Sequence, residues 1–457
     1  MGSEQPGHIS ILGGGIAGLA VGYYAKKSGV SFTVYEASDR LGGNCITFRH
    51  GSFLFDSGAH RVHDVYPDVT NEIRAILKTE FKLINRPSQI YHNGKFIDFP
   101  LSPLNLIKNI GPGLMVKALF EAVLSRFKSS ATGENFEAFL VSRYGRSLSE
   151  LFLLNYSEKL WGIPCSRLAP EAAKKRLKGL GLKALLFELL SGEKNTRAHV
   201  DGSFYYPVNG IGELSDGLAD YCGIGHIRKM AKITKILHTE YNEIREVEIN
   251  GSETVATEFV VSSLPVDVLL NQMEPQPPRD VCSALRYLRY RCVILVTFFL
   301  DKESVSDAAT LYFPVSLFPF TRVYEPKNRS IRMAPDGQTS LVAEIPCDKG
   351  DDTWCMTDAT LIEKARSKLL ETKLIKDEEI LGTVVHRLDY AYPCLDLQTE
   401  KQVNIVISFL SGFRNLKLSG RPGTFKYCWI HDLMADGRNI VERFLTQSGA
   451  LLHKKTL

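Results

Sequence analysis

The apolar positions of this chain fall into runs of different period, and the period sets the element each run predicts. His8-Ile9-Ser10-Ile11-Leu12 is an apolar run of strand length that stops at three consecutive glycines, Gly13-Gly14-Gly15. From Ile16 to Gly29 the spacing is helical, with small residues toward a sheet and a glycine stop. Phe32-Thr33-Val34-Tyr35 predicts a second strand ending at Glu36. Tyr91 to Pro100 reads as a hairpin turning at Asn93-Gly94. Residues 101–192 are mostly helical in period, and strands return at Val293–Leu300, Ser340–Ile345 and Thr383–Arg387, which predict a mainly antiparallel sheet flanked by helices. Asp348–Thr353 and Glu325–Asn328 read as exposed turns, and His453-Lys454-Lys455 as a solvated end.

The order strand, glycine turn, helix, strand, acid is the framework that grips an ADP-containing dinucleotide. Gly13 permits the sharp turn, Gly15 leaves the backbone open to a pyrophosphate, and Gly18 lets the helix approach the sheet. Ile16 and Ala17 open the helix whose free N–H groups face the phosphates. Glu36, followed by Ala37, is placed to accept hydrogen bonds from an adenosine ribose, and an acid there favours a free 2′-hydroxyl.

The residues beyond Glu36 point to a flavin. Glu36-Ala37-Ser38-Asp39-Arg40-Leu41-Gly42-Gly43, then Asp56-Ser57-Gly58-Ala59-His60, resembles the flavin amine oxidase superfamily, which includes protoporphyrinogen oxidases, monoamine oxidases, carotenoid desaturases and UDP-galactopyranose mutases. The resemblance implies that Arg40, Gly42, Gly43, Ser57, Gly58 and Ala59 lie along FAD. Tyr156-Ser157-Glu158-Lys159-Leu160-Trp161-Gly162 is similar to a Y-x-x-K-x-W-G segment of the mutase and protoporphyrinogen-oxidase-like branches, and Phe204 to Leu214 to their Y-P-x-x-G-(I/G)-G-x-L return. Ile233 resembles the residue that meets the adenine, and Phe259 to Pro265 the strand and proline turn next along the chain. Gly420-Arg421-Pro422-Gly423-Thr424-Phe425-Lys426-Tyr427 resembles the run that returns to the flavin before a helix N-terminus, which brings Arg421, Asp432, Leu433 and Met434 toward the ring. Cys428-Trp429-Ile430-His431 departs from the pattern, since relatives commonly place Asn or Asp two residues after the last tyrosine.

The fold implied is α/β, a Rossmann-type FAD-binding domain (1–90, 205–265 and 385–457) interleaved with an α+β substrate domain (91–204 and 266–384). Two reactions stay open. One is an FAD-dependent oxidase, dehydrogenase or desaturase passing a substrate hydride to flavin N5. The other is a redox-neutral nucleotide-sugar mutase, in which His60 sits near the flavin and Arg176 and Tyr427 belong to a diphosphate clamp. The arginine-rich segment usual after W-G in bacterial mutases is replaced here by Lys175–Leu180. An inert flavoprotein scaffold is a third reading.

Size and charge narrow the partners. A chain of 457 residues, 44% hydrophobic, can bury large cores, and a net charge of +4 gives no reason to expect nucleic acid. Nine cysteines without metal-ligand rhythm fit reduced thiols, no metal site and a cytoplasmic location. No run reaches the roughly 18 apolar residues of a spanning helix. The apolar stripe of Leu101–Phe127 reads first as a core helix, with peripheral membrane contact as the alternative. The expected partner is a small-molecule substrate, a nucleotide sugar in the mutase reading.

Overall fold

The computed structural model describes residues 7–99, 135–170 and 203–447, with scattered positions between 108 and 124. The first apolar run becomes the strand Ile9–Leu12, central in a five-stranded parallel sheet ordered Leu416–Leu418, Phe259–Ser262, Ile9–Leu12, Phe32–Tyr35, Ile227–Arg228. All four residues of Ile9–Leu12 and of Phe259–Ser262 are buried, as expected of parallel strands covered on both faces. The helix Ile16–Ser28 covers one face and ends at Gly29 in the left-handed conformation (φ 74°). It packs against the last described helix, Ile430–Gln447. That crossing is close because a Cβ on Gly437 would stand 3.0 Å from Ala20.

A four-stranded sheet, ordered Glu253–Ala256, Ile244–Ile249, Ile233–His238, Met273–Glu274, adjoins the parallel sheet. The backbone N–H of Ala231, two residues before it, donates to the Glu36 carbonyl (2.8 Å). Its apolar residues share one core with Leu12 and Tyr35.

The second large element is a seven-stranded sheet, ordered Ile380–Pro393, Tyr290–Leu300, Thr339–Asp348, Arg322–Tyr324, Thr310–Tyr312, Ser88–His92, Lys95–Phe99. Its strand Tyr290–Leu300, paired along both edges, divides two cores by the period of two. Val293, Leu295 and Phe299 face Phe55, Phe152 and Trp161, whereas Ile294, Val296, Phe298 and Leu300 face the helix Asp358–Glu371 through Leu361, Ala365 and Leu369. The Ser88–His92 and Lys95–Phe99 strands form the expected hairpin, with Asn93 (φ 47°) and Gly94 (φ 78°) both left-handed at its turn. The strand Ile380–Pro393 pairs along Tyr290–Leu300, so this sheet runs past residue 385, where the sequence suggests a domain change.

One expected turn is corrected. Glu325–Asn328 is buried: the Glu325 carboxylate accepts from the backbone N–H groups of Val305 and Ser306 and from the Thr339 hydroxyl. The polarity that suggested a surface turn belongs to an internal hydrogen-bond network. Most of Leu101–Phe127 lies outside the described residues. Within it Val116, Phe120 and Leu124 are exposed, not packed as a core helix requires. Among the described residues no helix is long and apolar enough to cross a membrane.

Candidate active site

Strand, turn and helix at residues 9–28 build one end of the site. Gly13 has φ 104°, outside the range of residues with a side chain. A Cβ on Gly18 would lie 2.0 Å from the Gly13 carbonyl oxygen, so only glycine lets the helix start this close to the strand. Ile16 and Ala17 are buried in the first turn. The helix has no side-chain cap and no acidic residue in that turn, which leaves its N–H groups for an anion.

The Arg40–Gly43 segment crosses directly over this turn. The Gly42 N–H donates to the Gly14 carbonyl (2.9 Å), and the Arg40 guanidinium holds the Gly43 carbonyl (2.9 Å). A Cβ on Gly43 would meet the Gly15 Cα at 3.3 Å, so two bare backbones face each other across a cradle that side chains would fill. Glu36 sits at its edge, with one carboxylate oxygen accepting from the Gly14 N–H (2.8 Å) and the other from Ser38. Ala37 is exposed beside it, and Ile233 is buried at the start of the neighbouring strand. A glycine-walled cradle at an uncapped helix N-terminus, bordered by a carboxylate, fits the pyrophosphate and ribose of a dinucleotide.

From this cradle the chain leads to a cavity of about 180 Å³, partly open to solvent. Its near wall is Ser57-Gly58-Ala59-His60. The Ser57 hydroxyl donates to the Asn44 carbonyl (2.7 Å) and lies 3.0 Å from His60 Nε2, and the Ala59 N–H donates to the Glu344 carboxylate (2.9 Å). Burial, reinforced by the positive charges of Arg421, Arg322 and Arg329, pushes the His60 pKa down to about 3. His60 is therefore a neutral imidazole at physiological pH.

The opposite walls carry charge and rings. Arg322 pairs through Nε with Glu344 (2.5 Å) and donates to the Tyr392 hydroxyl (3.1 Å). Arg421 donates to the backbone carbonyls of Ala391 (2.9 Å) and Cys428 (2.8 Å), and its guanidinium lies 4.6 Å from the Tyr427 ring centroid and 5.4 Å from that of Tyr392. The Tyr156 and Tyr312 rings meet edge to face at 5.4 Å on the remaining side. The cavity-lining residues include three arginines, Arg61, Arg322 and Arg421, and one carboxylate, Glu344.

Tyr156, Ser157 and Trp161 reach the cavity from the helix Asn155–Trp161, which continues a π-helical turn at Ser149–Leu154. Such a turn widens the helix locally. Lys159 on this helix donates to three backbone carbonyls of one loop, Phe313 (2.9 Å), Val315 (3.0 Å) and Phe320 (2.6 Å). Burial lowers its pKa to about 7, while the surrounding carbonyls favour the ammonium form. The helix closes at Gly162 (φ 67°), against which the buried Arg291 guanidinium packs. Lys159 and Gly162 thus fix the wall that carries Tyr156 and Trp161.

The cavity gathers Ser57, Gly58, Ala59, His60, Arg421 and Tyr427. Gly13, Gly15, Gly18, Glu36, Arg40, Gly42 and Gly43 form the cradle instead. Met434 is fully buried in the core around the helix Ile16–Ser28, Leu433 packs against the same core, and the cavity is reached from that segment by Trp429 and Ile430. Arg176 lies outside the described residues. Arg322, Glu344 and Tyr392 escaped the sequence reading. Arg322 alternates with Val323 in a short strand, and a charged residue in such a strand is the one local signal. Among the described residues no group of three His, Cys, Asp or Glu could hold a metal ion, and all nine cysteines are free thiols.

A family model described as flavin containing amine oxidoreductase matches residues 16–393. Protoporphyrinogen oxidase 1 of Arabidopsis thaliana chloroplasts is 25% identical over 65% of this chain and 59% of its own length. The mitochondrial protoporphyrinogen oxidase of Nicotiana tabacum is 27% identical over 32% of this chain, and the match spans 31% of that enzyme. Among solved structures, reduced UDP-galactopyranose mutase superposes with a TM-score of 0.85 at 19% identity, covering 96% of both chains. Putrescine oxidase bound to putrescine gives 0.65 at 15% identity, covering 96% of this chain and 99% of its own.

Proposed function

The chain belongs to the flavin-containing amine oxidoreductase family, and from that premise we propose that it is an FAD-dependent oxidoreductase acting on a small anionic substrate. The observation that carries the substrate class is the charge of the cavity wall among the described residues, where Arg322 and Arg421 face the space with Glu344 as the carboxylate, beside a neutral His60. An amine would meet repulsion there, while a phosphate or carboxylate gains charge-assisted hydrogen bonds.

Gly13, Gly15, Ile16, Ala17 and Gly18 would hold the FAD pyrophosphate together with Gly42 and Gly43. Glu36 would take the ribose, with Ile233 beside the adenine, and Ser57–Ala59 and Arg421 would approach the ring. When bound, FAD supplies a hydride acceptor. Arg322 is held in place by Glu344 and Tyr392, and Arg421 by two carbonyls, so both are oriented before an anion arrives. His60 contributes an uncharged polar edge, and the tyrosine and tryptophan rings exclude water. In this reading the cofactor is served chiefly by segments 1–90, 205–265 and 385–457, a division supported by the five strands of the parallel sheet, all of which lie in them, while Tyr392, Arg421 and Tyr427 extend from the last segment into the substrate cavity.

The clustering of Tyr156, Tyr312, Tyr392 and Tyr427 around two arginines favours one second reading, a redox-neutral rearrangement of a nucleotide sugar. There Arg421 and Tyr427 would clamp the diphosphate. Anaerobic mixing separates the two. Bleaching of the oxidised flavin by a phosphorylated or carboxylated substrate supports oxidation. Pyranose–furanose conversion by dithionite-reduced enzyme, with no bleaching of the oxidised form, overturns it in favour of rearrangement.

A further inference from the structure

The polarity of the cavity wall changes in one direction, and the register of the seven-stranded sheet sets that direction. Glu344, Arg322, Tyr312 and Ile90 stand directly opposite one another on four neighbouring strands, and all four line the cavity. Neighbouring strands lie about 4.8 Å apart, so the row passes from an ion pair through a phenol ring to an aliphatic side chain within about 10 Å of Arg322.

Beyond Tyr312 the wall is hydrocarbon. Phe99, from the outer strand of the hairpin, meets the Tyr312 ring at 5.9 Å, edge to face. Phe136 opens the helix Phe136–Tyr144, and Phe152 and Leu153 come from the π-helical turn Ser149–Leu154. Ile90, Phe136 and Phe152 belong to one buried core, with Phe99 and Leu153 packed against it. Among the described residues, the hairpin, this helix and the π-helical turn give the cavity no charged or hydrogen-bonding side chain. A hydroxyl or amide of a ligand placed there would lose water and gain no side-chain partner, which is unfavourable. A methylene placed there gains up to about fourfold in affinity.

Resting on the reading of Arg322 and Arg421 as the anion site, we propose that the substrate is an amphipathic anion. Its single phosphate or carboxylate head meets the two arginines, and an uncharged hydrocarbon body runs past Tyr312 against Ile90, Phe99, Phe152 and Leu153. Tyr312 and Tyr156 sit at the junction, where a side chain with an apolar ring and a polar tip suits both halves. The hydroxyl-rich body of a nucleotide sugar is a poor match for this wall.

The test titrates the flavin-loaded full chain with n-alkyl phosphates from methyl to octyl, with the matching alkanols and with UDP. Binding is read from flavin absorbance and from tryptophan fluorescence, since Trp161 and Trp429 line the cavity. The Kd should fall about two- to fourfold for each added methylene, and octyl phosphate should bind at least about tenfold tighter than octanol. Leu153→Gln should weaken octyl phosphate by about tenfold. The wild-type series stands alone if that variant does not fold. A Kd independent of chain length, octyl phosphate binding unaltered by Leu153→Gln, or UDP binding tighter than octyl phosphate overturns the hydrocarbon body. Octanol binding as tightly as octyl phosphate, with the chain-length series intact, overturns instead the anionic head on which the proposal rests.

Discussion

Gly18→Ala puts the glycine cradle to a quantitative test. The new Cβ would stand 2.0 Å from the Gly13 carbonyl oxygen and 3.1 Å from Ile11 Cγ2. A relaxed carbon–oxygen contact is about 3.3 Å, so the helix start must retreat from the turn by more than an ångström. Overpacking of this kind costs about 1–3 kcal/mol of stability. The larger effect falls on cofactor binding. A displacement of that size stretches an N–H···O bond from about 2.9 Å to about 4 Å, beyond hydrogen-bond range. Losing one bond to a charged phosphate costs about 1.5–3 kcal/mol, which is a ten- to hundredfold rise in the FAD Kd. Gly29→Ala is the control: it also forces alanine into a left-handed position (φ 74°), at about 1 kcal/mol, but nothing lies within 4 Å of its Cβ. Fluorescence titration of apoprotein with FAD should therefore separate two variants of similar stability. Wild-type FAD affinity in Gly18→Ala, or equal weakening in both variants, would show that the close approach at Gly18 does not govern cofactor binding.

Three further outcomes are expected. Lys159→Met strands three loop carbonyls and should cost about 2–4 kcal/mol, seen as a lowered denaturant midpoint, while an unchanged midpoint shows the clasp to be dispensable. His60 is neutral in the fold and titrates near pH 6.5 when unfolded, so its contribution is complete above pH 6.5 and is lost as the pH falls toward about 3. Guanidinium midpoints at pH 7.5 and 5 should then differ less in His60→Gln than in the wild type. Arg421→Met should weaken binding of UDP or pyrophosphate, followed by the flavin absorbance change, by about tenfold or more, and unchanged binding would remove Arg421 from the anion site.

The cradle was legible because its demands are local. Gly13 needs a positive φ, Gly18 a missing side chain, and Glu36 a fixed distance from the turn, so each requirement is written within about 25 residues of chain. The hairpin at Asn93-Gly94 was legible for the same reason. The cavity was not. Arg322, Glu344 and Tyr392 lie on three strands that meet only through the sheet order, and the Arg322–Glu344 pairing across neighbouring strands is a matter of register. Glu325 was misread because polar residues packed in an internal network look, one at a time, like those of a solvent-facing turn. Leu433 and Met434 show a related limit: a motif brings a segment near a site, but the helical phase decides which of its residues face it. Here Trp429 and Ile430 face the cavity, and Met434 faces the core.

The proposed function stands or falls on one cofactor reaching from the glycine cradle to the arginine-lined cavity. A crystal structure of the protein reconstituted with FAD decides the matter. The expected density puts the pyrophosphate between Gly13–Gly18 and Gly42–Gly43, the ribose on Glu36, and the flavin ring at Ser57–Ala59 facing Arg322 and Arg421. A protein that binds no flavin, or density for the ring away from that cavity, would rule this placement out.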